Sequence, residues 1–202
     1  MLRNAVACIL IFLFLGMLMW YGTGSRSSNG TTSDSTKIGE IGVNYQIGYE
    51  VYVLRDKEYY YSLIEDLRSA NKSIMVAMYS MIYDPDDPYD WANDLIRELV
   101  YAKERGVNVT VIIEYRTYWE TLDDNLEAYY YLSSHNVTVY LDNDTETDHM
   151  KLVIIDDYIV YVGSHNWSEA ALYYNRETSI KIVSEEIAKE YKEYFETILS
   201  EE

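Results

Sequence analysis

TDHMKLVIIDDYIVYVGSHNWS, from Thr147 to Ser168, is the stretch from which the rest of the chain is read. Two β-rich runs, Lys151 to Ile155 and Tyr158 to Gly163, are joined by Asp156-Asp157, a tight hairpin by composition. Side chains alternate along a strand, so His149 and Lys151 project to one face when the strand extends back that far. An imidazole beside an ammonium suits a phosphate: the lysine neutralises non-bridging oxygens, and the histidine attacks phosphorus or transfers a proton. Asp156 lies an odd number of positions from both, at the turn. Parity therefore assigns it to the hairpin or its neighbours rather than to substrate. After the second run, Gly163-Ser164-His165-Asn166 brings a small residue, a hydroxyl and a carboxamide to the strand's end, where donors meet an anion. Farther on, Asn175 to Val183 reads as another strand, with Glu177 near its start.

Outward from this hairpin, strands and helices alternate. Tyr49 to Arg55 reads as a strand, and Lys57 to Ala70 repeats apolar residues at helical spacing, with Leu63, Ile64 and Leu67 on one face. Ser73 to Ile82 is a continuous apolar run, hence a buried strand. The acidic loop Tyr83 to Asp90 holds both prolines and precedes a helix ending at Gly106, then a strand from Val107 to Tyr115. A third helical pattern, Leu122 to His135, leads to a short strand at Val137 to Leu141. The last segment spaces Ile187, Tyr191, Phe195 and Ile198 along one helix face, which docks on the sheet or on a second copy. The pattern predicts an α/β domain of layered architecture, without internal repeats.

At 202 residues with 49% hydrophobic content, the chain supports one domain with a core of its own. Its formal net charge is −18, so a polyanion is repelled by most of the surface, which argues against an extended nucleic-acid groove. Most of the 23 tyrosines are expected half-buried, with their hydroxyls in water.

The amino end reads as targeting. Behind a single positive charge at Arg3 comes the apolar run Ala5 to Tyr21, long for a signal sequence and short for a membrane span. Residues 1–22 are therefore expected to be a signal peptide or transmembrane anchor helix, 23–38 a Ser/Thr/Gly-rich linker, and 39–202 the folded domain. The expected location is the cell membrane, with the domain on the extracytoplasmic side, or secretion. Six of eleven asparagines begin N-x-S/T triplets, which fits an exported surface. Cys8 is the only cysteine and lies in the apolar run, so no disulfide forms within the chain.

His149-x-Lys151, then Asp156, Gly163-Ser164, Asn166 and Glu177, resembles in residue types and spacing the HKD motif of the phospholipase D superfamily. The segment from about Tyr49 to Leu199 is similar to the small exported bacterial endonucleases of that superfamily that carry one motif per chain. The resemblance implies a layered α-β-α sandwich with a mixed central sheet, and a metal-independent phosphodiesterase without cofactors. It implies that His149 is the nucleophile and forms a phosphohistidine, that Lys151 and Asn166 bind phosphate oxygens, and that Ser164 assists. Glu177 would accept a hydrogen bond from His149, with Asp156 and Gly163 in support. The family's reaction uses two motifs and this chain has one, so the resemblance implies a homodimer with both motifs at a twofold axis. Nucleic acid is the leading substrate class. Phospholipid is the alternative, because the acidic run Asp142 to Asp148 immediately precedes the histidine and opposes a polyanion. A catalytically silent surface binding module is the reading from another class; the intact set of His149, Lys151, Asn166 and Glu177 argues against it.

Overall fold

The computed structural model describes residues 49–115, 124–142 and 146–200. Within them, seven strands form one mixed sheet: β1 (Glu50–Arg55), β2 (Ser73–Met78), β3 (Asn108–Glu114), β4 (Thr138–Asp142), β5 (Lys151–Ile155), β6 (Ile159–Gly163) and β7 (Thr178–Val183), in spatial order β1-β7-β6-β5-β2-β3-β4. β2, β3 and β4 run parallel, while β5 and its neighbours pair antiparallel. Four α-helices accompany the sheet: α1 (Glu58–Ser69), α2 (Trp91–Glu104), α3 (Asp124–Ser134) and α4 (Glu185–Leu199).

Strand parity sorts the core into two layers. Val76, Val111, Val153 and Tyr161 pack with α1, α2 and α3 through Leu63, Leu67, Leu95, Leu99 and Leu132. Their neighbours Ala77, Ile112, Leu152, Ile154 and Val160 turn to the other face, where Ala188, Phe195 and Ile198 of α4 cover them. Both faces of β2, β3 and β5 are thus buried, which is why these strands read as continuous apolar runs rather than alternating ones.

Polar residues set the ends. Asp90 caps α2 by accepting from the Ala92 N–H (2.8 Å), and Gly106 follows the helix at φ 93°, where a Cβ would be strained. Asn136 (φ 60°) plays that part after α3. The β5–β6 turn closes with the Tyr158 N–H on the Ile155 carbonyl (3.0 Å) and holds Asp156 and Asp157 both at φ 56°. Their short side chains tolerate this region because each has partners. Asp156 accepts from the backbone amides of Asn71, Lys72 and Ser73, and Asp157 pairs with Lys72 and Lys192.

Three expectations change. The strand foreseen as far as Ile82 ends at Met78; Met81 makes only an isolated parallel bridge to Trp167. The stretch after Trp167 is a single π-helical turn, Ala170–Tyr174, and because the Asn175 N–H bonds back to Ala170 (2.8 Å), β7 starts at Thr178 rather than Asn175. The membrane assignment is also corrected: among the described residues no helix is long and apolar enough to cross a membrane. The apolar run 5–21, on which the anchor and the extracytoplasmic or secreted location rested, lies outside the described residues.

Candidate active site

The carboxyl ends of β2, β3, β4 and β6 meet the amino ends of β5 and β7 along one rim of the sheet, with Met78 opposite Lys151, Glu114 opposite Asp142 and Gly163 opposite Ser179. Such a rim is where open α/β sheets hold ligands. His149 lies exposed just ahead of β5, and Lys151 is buried to 7% exposure. The β2–β5 ladder extends toward them through Tyr79 N–H to Met150 O (2.8 Å). Lys151 Nζ stands 3.1 Å from His149 Nδ1, 3.4 Å from Nε2 and 3.0 Å from the His149 carbonyl. The Tyr79 ring underlies both, 4.3 Å from the imidazole and 4.8 Å from Nζ.

This geometry sets the protonation states. Burial, then the Lys151 charge, push the His149 pKa down, with Glu114 acting weakly the other way. The imidazole is therefore neutral near pH 7, with Lys151 placed to donate to it. Burial also lowers the Lys151 pKa, opposed by the nearby Glu177 carboxylate.

Ser164 sits at the end of β6. Its N–H and hydroxyl both reach the Thr178 carbonyl, and its Oγ accepts from the Thr178 N–H (3.0 Å) and meets the Glu177 carboxylate. Glu177 Oε1 also accepts from Asn175 Nδ2 (3.2 Å). Its backbone is clasped by Asp56, which donates its N–H to the Glu177 carbonyl and accepts the Glu177 N–H (both 3.0 Å). The carboxylate thus faces Ser164 and Asn175, and the imidazole's polar neighbour is Lys151. The His149–Glu177 hydrogen bond expected from the motif is not formed; the Glu177 carboxylate bonds Ser164 and Asn175 instead.

Gly163 is required by packing. A Cβ there would lie 2.2 Å from Ser179 Oγ, 2.4 Å from Ser179 Cα and 2.5 Å from the Thr178 carbonyl. Asn166 follows at a point pinned to β2's extension by Trp167 N–H to Ser80 O (3.0 Å), and its Oδ1 is buried with no hydrogen-bond partner. His165 faces the interior: its ring stacks on Tyr59 at 4.3 Å, Nε2 donates to the Asp56 carbonyl (3.0 Å) and Nδ1 accepts from Ser179 (2.7 Å). Asp156 is at the opposite end of the sheet, on the amides that open β2.

Four contributors to this rim were missed in the sequence. Asn125 at the start of α3 accepts from the Met81 N–H (2.8 Å) and donates to the carbonyls of Tyr79 (2.9 Å) and Glu114 (2.7 Å), tying the ends of β2 and β3 together. Glu114 in turn accepts the Asp148 N–H (2.6 Å), fixing the approach to His149. Tyr79 and Asp56 complete the set. A signal existed for two of them: Asn125 shares the helical face of Ala128 and Leu132, and Glu114 is a carboxylate ending an apolar strand, both polar where the pattern demands apolar residues.

The family described as cardiolipin synthase, PLD-like domain, matches residues 63–199. The chain therefore belongs to the phospholipase D superfamily, and its relatives there are phosphodiesterase hydrolases. It is 28% identical over 130 residues to a phospholipase D of Rickettsia typhi, an alignment covering 64% of this chain and 57% of the relative, so the chain spans little more than half of that protein's length. In three dimensions it is similar to the phospholipase D family member Nuc from Salmonella typhimurium, with TM-score 0.64, 25% identity, and coverage of 76% of this chain and 95% of the other. NucT from Helicobacter pylori is similar too, with TM-score 0.62, 26% identity, and coverage of 76% and 97%.

Proposed function

We propose that this chain is a phosphodiesterase that cleaves nucleic acid through His149. The observation that carries the reading is the 3.1 Å contact between Lys151 Nζ and His149 Nδ1 at the sheet rim, in a chain of the phospholipase D superfamily. The neutral imidazole attacks phosphorus, a P–N bond forms, and the P–O ester bond breaks. Lys151, with Asn166 and Ser164, holds the non-bridging oxygens as charge builds on them. The buried, unpartnered Asn166 Oδ1 fits a carboxamide whose NH2 end is committed to the phosphate. The departing oxygen takes a proton from His149 of a second copy, in the charged form that the anionic phosphodiester between the two rings favours, and the same ring then removes a proton from the water that cleaves the phosphohistidine. One motif per chain makes the second copy necessary to this scheme, which requires no metal. Glu177, held by Asp56 and Asn175, orients Ser164 and supports the charge on Lys151.

A second reading, phospholipid hydrolysis, draws on one specific observation: the approach to His149 is flanked by Glu114, Asp142 and Asp148 in a chain of net charge −18, which opposes a polyanion more than a single headgroup. The deciding experiment incubates the chain, in chelator, with labelled single- and double-stranded oligonucleotides and with phospholipid vesicles, using His149→Ala as the blank. Oligonucleotide cleavage by wild type alone, weakening steeply with salt, supports the nuclease. Headgroup release with no oligonucleotide cleavage replaces it with the phospholipase, and inactivity of a folded dimer on both sinks the catalytic reading.

A further inference from the structure

Beside the rim lies a surface that the proposed catalysis does not use. The π-helical turn presents Tyr173 and Tyr174, 43% and 69% exposed, and Tyr89 across from them is 86% exposed. Two cavities share Tyr173 and Tyr174. One of about 350 Å³ is walled by Tyr89, Trp91 and the carboxylate Glu169; the other, of about 540 Å³, by Arg55, Lys57 and Arg176 with Asp56 and Glu58.

The aromatic platform is backed by further rings. Trp91 meets Tyr173 edge-on at 5.0 Å and is backed by Tyr60, stacked at 4.3 Å, whose hydroxyl bonds Asp94 (2.9 Å). Lys57 Nζ stands 3.4 Å over the Tyr173 ring, a cation kept at the platform by the aromatic face. The larger cavity brings three cations against two carboxylates, Asp56 and Glu58, in a chain whose net charge is −18. It also reaches the rim: Asn175 lines it and donates to Glu177, whose carboxylate meets Ser164.

We infer that this surface is a base-stacking subsite for single-stranded nucleic acid, with Tyr174 and Tyr89 as stacking faces and Lys57 and Arg176 as phosphate contacts; the inference rests on the nuclease reading and names its substrate. Exposed rings beside cations fit a strand whose every base offers a π-face, whereas a duplex hides those faces. An acyl chain laid there would desolvate five charged side chains, Arg55, Asp56, Lys57, Glu58 and Arg176, without replacing their water. A subsite of this kind also answers the acidic surface, because stacking supplies binding that long-range electrostatics opposes.

The test is fluorescence anisotropy with the full chain, a labelled oligothymidylate and an abasic oligomer of the same length, across a salt series. Wild type binds the oligothymidylate more tightly than the abasic oligomer, with a slope of log K against log salt of about −1.4 for two phosphate contacts. Tyr174→Ala weakens oligothymidylate binding about tenfold or more, and Tyr174→Phe retains it. Tyr89→Ala repeats the loss at a second exposed position. Equal binding of the two oligomers by wild type, or no loss in either alanine variant, overturns the inference. So does a loss seen only on anionic phospholipid vesicles. Hydrolysis of a small chromogenic phosphodiester by wild type, measured alongside, judges the catalytic reading separately: inactivity there fails that reading while the binding comparison still decides the subsite.

Discussion

Lys151 Nζ and His149 Nδ1 are 3.1 Å apart, with the Tyr79 ring beneath both, so the lysine's proton and the histidine's lone pair share one site. Removing the charge tests this directly. In Lys151→Met the imidazole loses the cation that helps depress it, and its titration midpoint moves up while burial still holds it below about 6.5. NMR titration of the His149 ring protons reads the shift. An unmoved midpoint would mean that burial alone sets the value.

His165 makes stability depend on pH. Burial lowers its pKa, so below about pH 6.5 the unfolded chain takes up a proton that the folded chain refuses. Its contribution is intact above that value and is lost progressively as pH falls. Comparing urea unfolding of wild type with His165→Gln at about pH 7.5 and about pH 5.5 cancels the effect of the many carboxylates. The expected result is a deficit of the variant that narrows on acidification. A constant deficit would show that His165 is not kept neutral by the fold.

Gly163→Ala is expected to be among the costliest small substitutions in the sheet. The added methyl meets Ser179 Cα and the Thr178 carbonyl at 2.4 and 2.5 Å, both backbone atoms, so β6 and β7 must separate. Overpacking of this kind costs on the order of 1–3 kcal/mol, read from denaturant unfolding. Ser179→Gly in the same chain restores little, because it removes only the Oγ contact.

Asn125 offers a test of donor against acceptor. Asn125→Ala leaves a backbone N–H and two carbonyls without their partner, at a cost of about 2–4 kcal/mol. Asn125→Asp is isosteric yet turns two donors into a carboxylate facing the carbonyls of Tyr79 and Glu114. Thermal unfolding near neutral pH should find it at least as destabilised as the alanine variant. A near-native melting point for the aspartate would remove Asn125 as the clamp of β2 and β3.

How much of this was legible depends on the range of the interaction that fixes each feature. Strand and helix alternation could be read because β5 and β6 are dense in apolar residues while α1 repeats Leu63, Ile64 and Leu67 at 3.6-residue spacing. The Asp156-Asp157 turn could be read because two short acidic residues between β-rich runs favour tight reversal. The length of β2 was overestimated, since Ser80 to Ile82 continues the run but is held by Trp167 and Asn125 rather than by a ladder.

By itself the sequence determined the α/β class, the hairpin and the likeness to a phosphodiesterase superfamily, all consequences of local pattern. Only the tertiary structure decided which polar groups meet. The order β6-β5-β2-β3 brings Tyr79, Glu114 and Asn125 to the rim where His149 stands, although these residues come from separate parts of the chain. It likewise commits Glu177 to Ser164 and Asn175, because the β6–β7 register, not residue spacing, sets where that carboxylate points. Periodicity reports which face a side chain takes; its partner there depends on strand order, which is fixed by packing across both sides of the sheet.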